Sequence, residues 1–571
     1  MSNDIEKQIN EALAEFSRDP KTFMNRQPQK YDAQGNPVPG HTVFTPSDIA
    51  NEEYVAAHDQ QRLEILQPGQ TEGGVSTRAA IAANDRPENL VDSFKYNKLD
   101  AMESAGLMKA RLAESPWSDD YWAIYKGILG ARYADPNFPA STDWKKNYDY
   151  IRANPAATIL SSGSAQRINA LSPAEKYDAL VGDANGSLTR ALWAEGKSYY
   201  DAHGSVEAWM GICHGWAPGA YMLARPTKSV TLKTPNNVTI KFYPSDIKAL
   251  GSLLWANAAS STKFIGGRCN DKDPASDAST GRVTSGSCFD TNPGTWHLAM
   301  VNQIGVNKRS LVMDVTYDYE VWNQPVYGYE YRYFNPQTQV YSNSLAAATI
   351  SMANYTNDKF KRFRSPQAKS AVGIQMTVSY VVETRPSQSE TDSASRDAIQ
   401  QVIYYYDLEL DASNTIIGGE WYTNKHPDFL WTPGKGSRAV TRYDSQATGS
   451  WSANSAVPAA WQAAAKSASS SQSAPLAVVV ANLIKFANGT STSASTSSSV
   501  ASGTGTTTTP TNPQPTPTGT TAVNTGPTNG SGASTSTPTT SGTPTGGTTG
   551  TTTGTSTSTP WWRRILGNWF G

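Results

Sequence analysis

At Arg225-Pro226 the chain changes its periodicity, and that change constrains the fold more than any other feature. Upstream, apolar residues recur three or four positions apart, as in Leu99 with Met102, Met108 with Leu112, and along SPAEKYDALVG and SLTRALWAEGKSYYDAHG. This is the repeat of an amphipathic helix. DDYWAIYKGILGARY is predicted as an aromatic helix stopped at Asp135-Pro136. Downstream, SVTLKT, NVTIKFYP, TWHLAMVNQIG, SLVMDVTYDYEVW, QMTVSYVVET and VIYYYDLELDASNTIIGGEWY carry β-branched and aromatic residues in strand-like runs. Helices first and strands after predict an α+β fold.

Composition places the boundaries. Ile5, Ile9, Leu13 and Phe16 share one helical face behind Ser2, Asn3 and Asp4, and the polar, Pro- and Gly-rich text that follows buries too little to offset chain entropy. Residues 1–75 are therefore expected to be a short amphipathic helix and a flexible arm. Residues 76–487 form the expected catalytic domain, with a helical half to about 226 and a β-rich half from about 227. Residues 488–560 are almost wholly Ser, Thr, Gly and Pro, a linker composition. The tip, 561–571, reads WWRRILGNWFG and suits docking at a membrane interface or in a partner's groove.

Lys plus Arg number 48 against 49 for Asp plus Glu, so no basic field points to nucleic acid. No run reaches the roughly 20 apolar residues of a membrane-spanning helix, and the first residues are acidic where a secretory signal is basic and then apolar. Export without a recognisable signal is the expectation, with a cytoplasmic location as the alternative. Three cysteines leave room for one bridge and one odd thiol.

The odd thiol is Cys213, in GICHGWAPGAYMLARP. A helix N-terminus lowers a thiol's pKa, and Trp216, Ala217, Ala220, Tyr221 and Leu223 give the helix that would follow a buried face. Pro218 fits only near the first turn. Read as two strands joined by GVNKRS, TWHLAMVNQIG and SLVMDVTYDYEVW make a hairpin that sets Asp314 opposite His297, with Asp318 and Asn302 as fallback partners. Cys213, His297 and Asp314, in that order, match a papain-like nucleophile, base and orienter. The adjacent His214 points about 100° away on a helix and reads as helix surface or pocket wall.

The runs GICHGWAPGAYMLARP, TNPGTWHLAMVNQIG and DVTYDYEVWNQPVYGYEY resemble the transglutaminase elicitor family, as do DDYWAIYKGILGARYADPNFP and GGEWYTNKHPDFLW, over roughly residues 90 to 435. The resemblance implies a protein-glutamine γ-glutamyltransferase with a papain-like core, the Cys-bearing helix on an antiparallel sheet, and calcium dependence. It implies Cys213 as nucleophile, His297 as base and Asp314 as orienter. Its partners would be a glutamine-bearing protein and an amine donor. VWNQPV resembles the segment by which plants sense oomycete members, but Tyr327 stands where those members tend to carry a basic residue, so elicitor activity does not carry over.

The thioester formed on Cys213 would pass its acyl group to an amine or to water. Oxyanion donors would be the Cys213 backbone N–H and an indole from Trp193, Trp209 or Trp216. A cysteine hydrolase on the same triad is one alternative, and a non-catalytic binding protein tethered through its tip is another. Cys269 and Cys288 bracket a polar loop and are expected to pair, worth about 3 kcal/mol for such a loop. Asp271, Asp273 and Asp277 in that loop are calcium-ligand candidates that also read as a solvated acidic turn.

Overall fold

The computed structural model describes residues 2–38, 85–258, 260–267, 274–285, 288, 291–315 and 321–489. Most of the arm (39–84), Cys269, Asp271, Asp273, Asp318, the linker from 490 and the tip 561–571 lie outside them. No helix among the described residues is long and apolar enough to cross a membrane.

Seven strands form the spine of one antiparallel sheet: β1 (Lys30–Asp32), β2 (Thr262–Gly266), β3 (Val312–Asp314), β4 (Asn323–Asn335), β5 (Ser370–Val382), β6 (Ala398–Leu410) and β7 (Phe429–Pro433). They lie in the order β1-β6-β5-β4-β3-β7-β2, and four further strands add to them. The longest pairing runs from Ser370 opposite Leu410 to Val382 opposite Ala398. Most helices precede residue 226 and the long strands follow it, so the fold is α+β, as the change at Arg225-Pro226 predicts.

Both faces of the sheet's centre are covered, and β6 shows why its sequence is apolar almost throughout. Tyr404 and Tyr406 point into the main core, whereas Ile403 and Tyr405, one residue out of phase, point into a second cluster on the opposite face. The N-terminal residues fill that second cluster. Ile9, Leu13 and Phe16 of helix Ser2–Arg18 are buried there, with Phe16 stacked on Tyr422 at 4.4 Å. Helix Pro20–Met24 adds Phe23 and Met24, and β1 then pairs with β6. The stretch from Asp19 to Val38, expected to begin a flexible arm, is thus docked by apolar burial and by strand pairing.

Three element assignments change, the first at Met108 and Leu112, which are expected on a helix and instead flank the short strand Lys109–Arg111, paired with β4. TWHLAMVNQIG is not a strand: it is the helix Pro293–Met300 continued by a π-helical turn, Val301–Val306. Asn292 caps it by accepting from the Gly294 N–H, and Pro293 occupies the first helical position. Every residue of the helix is buried, so its sequence has no amphipathic period to read. The hairpin joining His297 to Asp314 therefore does not exist. DDYWAIYKGILGARY likewise forms only the short turns Ile124–Lys126 and Ile128–Gly130. Trp122, Gly127 and Ile128 all have positive φ, and the Trp193 ring fills the space where a Cβ on Gly127 would stand, 2.4 Å away.

Candidate active site

Cys213 opens the helix Cys213–Met222. The chain enters it through a hydrogen bond from the Ile212 N–H to Tyr121 O at 2.7 Å. The helix lies close against Pro244–Asn257, and Gly215 makes that approach possible: a Cβ there would stand 2.2 Å from Ser252 O. Pro218 sits in the second turn, inside the helix rather than in its first turn as expected. Its ring leaves the His214 carbonyl without the usual helical donor.

The Cys213 thiol is free and the residue is 5% exposed. Its S–H points to Val321 O at 3.8 Å, and Asn323 Nδ2 donates to the sulfur at 3.7 Å. Asn323 Oδ1 in turn accepts from the Trp431 indole N–H at 2.8 Å. An indole nitrogen only donates, so Trp431 fixes which end of the amide faces the sulfur. Burial pushes the thiol up to about 11, the largest effect; the backbone N–H and side chain of Asn323 pull it down, while Glu383 and Asp314 raise it. In this state Cys213 is a protonated thiol.

Asp314 is at the site, but not as a partner of His297. It lies opposite Asn323 across the β3–β4 pair, is 1% exposed, and accepts the Trp322 N–H at 3.0 Å. That bond fixes the chain just before β4, and the negative charge works against thiolate formation. Glu383, half-buried after β5, accepts from Gln324 Nε2 at 2.7 Å, and loss of solvation raises it to about 7.

His297 lies elsewhere. Its Nδ1 shares a hydrogen bond with the Tyr406 hydroxyl at 2.9 Å, its ring meets Tyr331 edge-on at 4.7 Å, and its buried Nε2 has no hydrogen-bond partner among the described residues. Tyr331 is eight residues along β4 from Asn323, about 26 Å at the rise of a strand. The structure therefore brings Cys213 and Asp314 together and leaves His297 in the tyrosine layer of the sheet. Burial holds its imidazole neutral, at about 3. His214 is half-buried, and loss of solvation lowers it to about 3; Asn302 spends its amide on the 95–96 backbone and on Leu298.

Two of the three tryptophans expected as oxyanion donors spend their indole N–H elsewhere, and the third, Trp193, is buried with no hydrogen-bond partner on its Nε1 among the described residues. Trp216 donates to Trp117 O at 3.0 Å, Trp209 bonds Glu207, and Trp193 packs on Gly127 and Gly130 within an aromatic group with Trp144 and Tyr148. Asp277 is likewise committed. Its Oδ1 accepts from Ser279 and Thr280, and its Oδ2 pairs with Arg362. Asp271 and Asp273 lie outside the described residues, among which no cluster of three or more metal-ligating side chains exists. Cys288 is buried, and its expected partner Cys269 lies outside the described residues.

Asn323 and Trp431 both occur in the runs already quoted, VWNQPV and DFLW, yet neither run alone marks them. Their meeting depends on β7 and β4 both flanking β3, a long-range pairing that no local pattern encodes.

A family model described as transglutaminase elicitor matches residues 91–444. Among solved structures, the GP42 transglutaminase from Phytophthora sojae aligns with a TM-score of 0.44 and 22% identity, over 69% of this chain and 99% of that one. No curated protein matches.

Proposed function

Because the chain belongs to the transglutaminase elicitor family, we propose that it is a cysteine acyltransferase acting on protein-bound glutamine, with Cys213 as the nucleophile. One observation carries this reading: a free thiol at the start of a packed helix, with the Asn323 amide donating to its sulfur. The thiol must first lose its proton. The sulfur then attacks the carboxamide carbon, the C–N bond breaks, and ammonia leaves with a proton, so that the acyl group is held as a thioester. A lysine amine takes the acyl group to give an isopeptide bond; water gives glutamate.

The base that removes the thiol proton is not carried over from the expected triad, because His297 stands in the tyrosine layer. Asp314 keeps a place beside the sulfur as the group that fixes Trp322. Glu383, near neutrality at about 7, has a pKa suited to accepting and returning a proton at physiological pH.

The test is incorporation of a primary-amine probe into a glutamine-bearing protein by the full chain, wild type against Cys213→Ala. Loss of incorporation in the variant is the expected result, and equal incorporation removes the proposal. The thiol held at about 11 favours a second reading, in which the shell is vestigial and the protein acts by recognition. Background incorporation by both proteins, with ammonia release also absent, selects that reading.

A further inference from the structure

We propose that Asn323 is a catalytic donor that stabilises the Cys213 thiolate, and that Trp431 is the positioning residue that keeps the Asn323 amide turned towards the sulfur. The inference rests on the acyl-transfer reading above and names the groups that make its nucleophile usable.

The geometry has a direction. Asn323 is 5% exposed and begins β4, where its amide is held at both ends, by the Trp431 indole at 2.8 Å and by the sulfur at 3.7 Å. A neutral thiol is a weak acceptor, so a buried amide aimed at it contributes little while the proton is on. Once the sulfur carries a charge, the same donor makes a charge-assisted bond in a site nearly closed to water. The interaction is therefore worth more in the reactive state than in the resting one, which is the requirement for a catalytic contribution.

A structural role alone does not account for the arrangement. An asparagine needed only to satisfy the Trp431 N–H would serve with its Nδ2 facing any carbonyl, whereas here it faces the side-chain atom that reacts. Trp431 reaches it from β7 across β3, so the amide's orientation is fixed by a group that never touches the sulfur itself. Val321 O receives the S–H in the resting thiol and would repel the thiolate, leaving the side chain and backbone N–H of Asn323 as the sulfur's stabilising contacts among the described residues.

Several other charged or titratable groups bear on the sulfur's ionisation. Asp314 on β3 and Glu383 after β5 both oppose it, Asp120 lies near Glu383, and His214 neighbours Cys213 on its own helix. None of these is altered by changing Asn323 or Trp431; Asn323→Asp removes the donor and adds a charge, and Trp431→Phe, which adds none, isolates the donor's orientation.

The experiment is the rate of iodoacetamide alkylation of Cys213 at pH 9 in the full chain, followed by mass spectrometry of the Cys213 peptide. Asn323→Asp keeps the volume and the acceptor for Trp431 but cannot donate and adds a negative charge; alkylation should slow about tenfold or more, one pKa unit being tenfold in thiolate. Trp431→Phe keeps an aromatic ring and frees the amide to turn. The slowing there should be roughly threefold or more, since a rising pKa partly restores intrinsic nucleophilicity. Rates within twofold of wild type in both variants overturn the proposal. If Asn323→Asp loses its near-ultraviolet circular dichroism, Trp431→Phe decides alone, by the same twofold limit. Amine incorporation is measured in parallel. An inert wild type with slowed variants removes the acyl-transfer reading and leaves the donor pair standing. An active wild type with unchanged alkylation does the reverse.

Discussion

His297 shows at the scale of one residue how a correct anomaly can lead to a wrong role. An imidazole amid TWHLAM requires an explanation, and a catalytic hairpin supplies one; the structure supplies another, a buried neutral ring bonded to the Tyr406 hydroxyl. Burial lowers its pKa to about 3, so in the fold it stays neutral where the unfolded chain takes up a proton. Its contribution to stability is full above about pH 6.5 and is lost progressively as pH falls from there towards 3. At pH 5 that loss is about 2 kcal/mol for one such group. Asp85, Asp119 and Asp178, each raised to about 7 by burial, slope the other way, so the effect must be read from a difference. His297→Gln should reduce the fall in unfolding free energy between pH 7 and pH 5 by about that amount in urea titrations, while leaving Cys213 alkylation unchanged. An unchanged fall would show that the ring is already protonated in the fold. The position of His297 as an unusual residue was legible from its neighbours; its partner was not, because Tyr406 lies far away in sequence on β6.

The elements differ in how plainly their sequences declare them. Strands β5 and β6 and the helices Pro173–Leu180 and Ser187–His203 follow from local text: runs of β-branched and aromatic residues in the former, a Ser172–Glu175 capping box and apolar spacing in the latter. The Pro293–Met300 helix does not, since burial on all sides removes the period and leaves Asn292-Pro293 as the remaining signal. The Cys213 helix was legible at its start but not in its contacts, and Gly215 is the residue that sets them. Alanine at that position would gain about 1 kcal/mol in helix propensity. Its Cβ, however, would meet backbone at Ser252 O, 2.2 Å away, and backbone cannot swing aside as a side chain can. Gly215→Ala is expected to destabilise by about 1–3 kcal/mol, the cost of overpacking, and to lower alkylation and amine incorporation together by shifting the sulfur off Asn323. Thermal unfolding and the two rates check it; a variant more stable than wild type would show that the two helices can move apart freely.

Across the whole molecule, the far face of the sheet is closed by its own N-terminus. Without residues 2–38, Phe334, Phe360, Ile403, Tyr405 and Tyr422 would have no cover, and β6 would present an unpaired edge where β1 now lies. The docked segment is held by Phe16 on Tyr422, Phe23 against Tyr405, the Tyr341 N–H donating to Asn10 Oδ1 at 2.7 Å, and the β1–β6 pairing. It also reaches the end of β3: Lys30 Nζ donates to Val315 O at 3.2 Å, one residue past that strand. Composition identified the helix but not its destination, because the apolar face of Ile9, Leu13 and Phe16 is visible in sequence and the surface that receives it is assembled from β4, β6 and the loops around Phe360 and Tyr422. Removing the central ring tests whether this segment opens by itself. Phe16→Ala deletes a buried aromatic and should cost about 3–5 kcal/mol. Only one edge of the sheet depends on the segment, so the loss should appear as local opening. Amide exchange in residues 2–38 should accelerate at least a hundredfold, with exchange in the β5–β6 pair slowed or quickened by little. Acceleration of equal size in β5 and β6 would instead show that the N-terminal segment and the sheet unfold as one cooperative unit.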